Sequence, residues 1–156
     1  WRLAQALGDE SILRSIAYNQ ASGYLECGQY QNAYAYFSTV DDPTVMDLHK
    51  LALCCEKLGL TGQALEVLDQ ADGMDWDWEL GRQMCHLVRY RLEHPDYLRH
   101  TEYGAQLLQV FQDCQTQLPI GYAAFHLPWV LEWYTANRQY RSAYELLRNF
   151  PIKLDL

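Results

Sequence analysis

The sequence predicts an all-α protein made of antiparallel helical hairpins, and three observations predict it. A frame of glycine and alanine recurs: Gly28 and Gly59 lie 31 residues apart (59 − 28), and Ala33 and Ala64 follow each at the same distance. Apolar residues such as Leu80, Met84, Leu87 and Val88 recur at three- and four-residue steps, the spacing of one helix face. The alternating Val, Ile and Thr runs that strands need are absent.

Trp1 to Leu7 reads as the last turns of a helix, so the chain is expected to be a fragment of something longer. Four hairpins are expected after it, over about 10–40, 44–72, 78–118 and 120–150 of a single domain spanning 1–156. In the first, Ala21 and Tyr24 precede Gly28, and Tyr30, Ala33, Phe37 and Val40 follow. The second repeats the pattern with Leu48, Leu51, Ala52 and Cys55 before Gly59, then Thr61, Ala64, Leu68 and Ala71. The small alanines let two helices approach closely. The glycines supply the left-handed residue that ends a first helix. Phe37, Leu68 and, in the last hairpin, Leu147 are expected to plug the seams between neighbouring hairpins.

The third hairpin departs from the frame. Pro95 breaks its first helix, Asp96 is expected to cap a long second one running to about Leu118, and Pro119 ends that helix. The frame returns as Leu127, Leu131 and Tyr134, then Asn137, Tyr140, Ala143, Leu147 and Phe150, with Pro151 after it.

Composition narrows the function. At 49% hydrophobic the 156 residues hold enough apolar material for a core, which excludes disorder. No apolar run approaches the ~18 residues of a membrane-spanning helix. The net charge of −8 argues against contact with nucleic acid, whose phosphates repel it. That charge sits in residues 1–78, with four basic and twelve acidic side chains (4 − 12 = −8); residues 79–156 hold eight of each. The run Glu66, Asp69, Asp72, Asp75, Asp77, Glu79 lacks calcium-loop spacing and reads as a solvated edge. Five cysteines, an odd number without a C-x-x-C pair, point to a reducing, cytoplasmic compartment. His49, His86, His94, His100 and His126 supply no paired metal ligands. No phosphate loop, nucleophile elbow or H-E-x-x-H helix occurs, so neither an enzyme nor a cofactor is expected.

The repeated frame resembles the tetratricopeptide (TPR) repeat, with a period of about 34 residues. The resemblance implies a TPR-like superhelical array whose inner groove, lined by the first helix of each hairpin, binds a peptide or protein. Carried over residue by residue, it places Tyr18, Ser22, Leu25 and Glu26 on the groove, with Asn19 where relatives bond the ligand backbone. Met46, His49, Leu53 and Glu56 follow from the second hairpin, and Phe125, Glu132 and Thr135 from the last. The Lys and Asn of the carboxylate-clamp subtype are not at these places. The type of array is similar to the C-terminal region of bacterial helix-turn-helix transcription regulators. This implies a sensor or dimerisation role, with a homodimer among the expected partners; a free-standing adaptor or an enzyme accessory domain are the alternatives.

One feature lies outside that frame. Arg82, His86 and Arg89 stand at i, i+4 and i+7, on the helix face opposite Leu80, Met84 and Leu87. Such a basic stripe invites a carboxylate, or else pairs with the acidic run ending at Glu79. The abundant aromatics, Trp76, Trp78, Trp129 and Trp133 among them, suit either a seam or an interface.

Overall fold

Glycine and proline punctuate the chain into helices, and the computed structural model describes them over residues 2–3, 9–74 and 78–151. Most of the expected helix over Trp1–Leu7 lies outside the described residues, as do Asp75, Trp76 and Asp77. No strand occurs among the described residues; the protein is all-α there. Contacts group into two compact units, Trp1–Asp77 and Trp78–Leu156.

The first unit holds α1 (Glu10–Glu26), α2 (Tyr30–Phe37), α3 (Val45–Lys57) and α4 (Thr61–Asp72). Asp9 opens α1 by accepting the Ile12 N–H at 3.2 Å. Gly28, at φ 77°, closes it, and the chain reverses with the Gln29 N–H donating to the Tyr24 carbonyl at 2.8 Å. The same stop recurs at Gly59, at φ 76°, where the Leu60 N–H donates to the Cys55 carbonyl at 2.8 Å. Few residues other than glycine tolerate that conformation. A capping box starts α3: Thr44 Oγ1 accepts the Asp47 N–H at 3.2 Å, and Asp47 Oδ2 accepts the Thr44 N–H at 2.8 Å. Ala33, Ala52 and Ala64 are wholly buried where helices touch, and Phe37 and Leu68 are buried beside them. Tyr34 and Gln63 join α2 to α4 through the Tyr34 hydroxyl, which accepts the Gln63 amide at 2.7 Å.

The second unit holds α5 (Glu79–Glu93), a short 3-10 turn (Tyr97–Arg99), α6 (Thr101–Gln117), α7 (Ile120–Ala136) and α8 (Tyr140–Asn149). Its core runs from Leu80, Met84 and Leu87 through Tyr103, Leu107 and Phe111 to Leu127, Val130 and Trp133. Asp96 does not cap the second helix. The 3-10 turn intervenes, His100 is the residue before α6, and the Asp96 carboxylate pairs with His100 Nε2 at 3.2 Å. Pro119 does end α6, because the residue before a proline is driven to extended backbone, and Leu118 adopts it.

The third copy of the glycine stop carries Arg138 at φ 57°. The Gln139 N–H donates to the Tyr134 carbonyl at 2.8 Å, the bond that Gln29 and Leu60 make in their turns. On α8 the register matches the frame, but Leu147 plugs no seam. It is 39% exposed, whereas Leu146 and Phe150 pack on the core. Among the described residues, no helix lies over α8 as α3 lies over α2.

Candidate recognition site

The basic face of α5 follows from its amphipathic spacing. Leu80, Met84, Leu87 and Val88 are buried in the core, which turns Glu79, Arg82, Gln83 and His86 the other way. A cavity of about 390 Å³ lies along that face, walled on the α6 side by Gln106, Gln109 and Val110. Arg82 and His86 therefore come together as the i, i+4 spacing requires. Arg89 does not line the cavity; its guanidinium stands 3.8 Å from Glu93, one turn further along α5. The carbonyl oxygens of Gln83 and Gln106 are both buried and without a hydrogen-bond donor.

The residues expected on a groove of the first unit are only partly surface residues. Asn19 is exposed and Tyr18 half-buried on α1, while Ser22 is buried. Ser22 Oγ accepts from Lys50 Nζ at 2.6 Å, and the same ammonium lies 4.5 Å from the Tyr18 ring centre. Burial pulls the Lys50 amine down to about 8, against the pull of the nearby Glu26 and Asp47 carboxylates. His49 and Leu53 are only 2% and 1% exposed, so they line no groove. The reason is the position of α3: it packs against α1, α2 and α4, and every residue from Asp47 to Cys55 is buried. Glu56, past that stretch, is half-buried. In the second unit Phe125 is half-buried, and Glu132 and Thr135 are exposed on α7.

Sequence spacing missed two clusters. Arg91 is buried, with its guanidinium 4.7 Å from the Trp129 ring centre and one nitrogen donating to the Tyr103 hydroxyl at 3.3 Å. Its place four residues after Leu87 is a core-face position, a signal that its charge masks in the sequence. Near the start of α6, the Tyr90 hydroxyl meets His100 Nδ1 at 2.7 Å and Glu102 Oε1 at 3.1 Å. The hydrogen bond from His100 holds the Asp96 carboxyl below its ordinary value. No group of three or more metal-ligating side chains forms among the described residues.

No family model, curated protein or solved structure matches this chain. No helix among the described residues is long and apolar enough to cross a membrane.

Proposed function

We propose that the chain is a protein- or peptide-binding helical-repeat domain of the TPR type, and that the α5–α6 cavity is its recognition site. The observation that carries this reading is the pairing of Arg82 and His86 with three glutamine amides around one cavity. Guanidinium and imidazole suit a carboxylate, and glutamine amides offer both donor and acceptor to a peptide unit. The internal repeat of stop and alanine contact supports the TPR resemblance. Five free cysteines suit a reducing cytoplasm. The setting that fits best is the sensor or dimerisation part of a bacterial transcription regulator, ahead of a free-standing adaptor. Calorimetry with short acidic peptides tests the site. Arg82→Ala should weaken binding by about 1.5–3 kcal/mol, the worth of a hydrogen bond to a charged group, and added salt should weaken it further. Binding untouched by Arg82→Ala moves the site elsewhere.

One observation favours a protein partner, a second copy included, on α8. Tyr140 and Tyr144 are 61% and 63% exposed beside Leu147, at the repeat positions that Tyr30, Tyr34 and Phe37 hold on α2. Sedimentation of wild type and Leu147→Glu decides it for the homodimer: a monomer at every concentration removes that reading.

A further inference from the structure

We infer that the α5–α6 cavity takes a small zwitterion, a free amino acid or dipeptide, bound by its ammonium and its carboxylate together. This rests on the cavity being the recognition site and names the chemistry of its ligand.

The argument begins with charge. Among the described residues the cavity wall carries one carboxylate, Glu79, and one guanidinium, Arg82, with the His86 imidazole beyond it. A site for a plain anion would be basic throughout; this one has two poles. Glu79 and His86 lie seven residues apart on α5, about 10 Å along the axis. Arg82 stands only about 5 Å from Glu79 along the axis, within reach of the two ends of one amino acid, and a dipeptide, about 7 Å long, reaches on toward His86.

Hydrogen bonding points the same way. Buried acceptors are rarely left without donors, and each such group calls for an explanation. Two of them belong to residues that line this cavity, Gln83 Oε1 on α5 and Gln106 Oε1 on α6. The last torsion of a glutamine side chain is broad and soft, so either amide turns over readily toward a donor in the cavity. Glu79 and Gln83, one turn apart on α5, accept from the ammonium, which carries N–H donors only, and Gln106, level with His86 across the hairpin, accepts from a further N–H of the ligand. Arg82, His86 and the Gln109 amide then serve the carboxylate end. Val110 adds an apolar contact, and about 390 Å³ is room for a ligand of this size.

The test is calorimetry and thermal shift on the full chain. The probes are the free amino acids, dialanine and a panel of dipeptides, each hit repeated as its N-acetyl and its C-terminal amide form. A hit among free amino acids identifies a single residue as ligand; one among dipeptides only identifies the longer species. Either supports the inference if acetylation and amidation each weaken binding about tenfold or more, the loss of one charge-assisted contact. Gln106→Leu should weaken a hit similarly while leaving the fold intact by circular dichroism, and Gln106→Asn should restore part of it. If N-acetylated or acidic capped peptides bind as tightly as free ones, the zwitterion is wrong and the peptide reading stands. If neither free nor capped probes bind, both fail, and water alone occupies the cavity.

Discussion

Gly104 on α6 has no side chain because the indole of Trp133 on α7 occupies the place where one would stand. A Cβ built there would collide with the ring carbons and the ring nitrogen. Trp133 is 7% exposed, so the ring has no open side to retreat to. Gly104→Ala should therefore cost about 1–3 kcal/mol as overpacking, outweighing the ~1 kcal/mol that alanine gains in a helix. Gly23, in the last turn of α1, has nothing within 4 Å of a built Cβ. Gly23→Ala should instead stabilise by about 0.5–1 kcal/mol. Urea unfolding of both variants checks the contrast, and equal signs would overturn it.

The repeat register makes its own claim at Arg138. It stands at φ 57° where the two other copies of the turn have glycine. A left-handed residue other than glycine costs about 1–2 kcal/mol, offset partly by the greater freedom of glycine in the unfolded chain. Arg138→Gly should raise stability by about 0.5–1 kcal/mol. A loss would mean that the arginine side chain holds the turn by a contact of its own.

Ala64 tests the second hairpin. It is wholly buried between α4 and its neighbours. Ala64→Leu should cost about 1–3 kcal/mol, read as a lowered melting temperature. An unchanged melting temperature would place that helix in another register.

Local rules made most of the fold legible. Gly28 and Gly59 announced two stops because glycine is the ordinary bearer of the left-handed conformation, whereas Arg138 carries no such mark. Asp96 was misread because a cap was expected where a 3-10 turn lets the carboxylate reach His100 instead. The groove residues His49 and Leu53 failed for a tertiary reason. Periodicity shows which face of α3 is apolar, and cannot show that α1, α2 and α4 enclose it. Arg82 and His86 were legible from i, i+4 spacing on a single helix. Gln106 and Gln109 were not, since they reach the site from α6, and no spacing rule joins residues across a hairpin.

Thiol chemistry follows from burial. Cys27 is exposed, while Cys54, Cys55, Cys85 and Cys114 are buried. Burial pushes the Cys54 thiol up to about 12, with neighbouring Cys55 adding to it, and pushes Cys114 up to about 11. Thiolate is the reactive form, so iodoacetamide at mild pH should add one group to the native protein, at Cys27. In urea all five should react. Rapid native labelling at Cys54 or Cys114, mapped by mass spectrometry, would show that the second or third helical hairpin opens.

Lys50 yields the sharpest pH test. Its ammonium is buried between α1 and α3, bonded to Ser22 Oγ, and burial lowers it from 10.5 to about 8. The folded chain thus holds this proton less tightly than the unfolded chain does. Between about pH 8 and 10.5 the unfolded state binds more protons at this site, so the lysine's contribution to stability rises with pH across that window. The penalty is present in full below pH 8 and is relieved near 10.5, a span on the order of 3 kcal/mol. The raised thiols of Cys54 and Cys55 act in the opposite direction, since they ionise more readily once unfolded. A comparison between variants removes that shared effect. Lys50→Met keeps the aliphatic stem and loses the charge, so at pH 7 it should be at least as stable as the wild type, even with one hydrogen bond to Ser22 gone. At pH 10 the wild type should have gained on it by about 2 kcal/mol. Urea midpoints of the two proteins at both pH values measure the change. A constant gap would mean that Lys50 stays charged in the fold, held by Glu26 and Asp47 more strongly than its burial opposes.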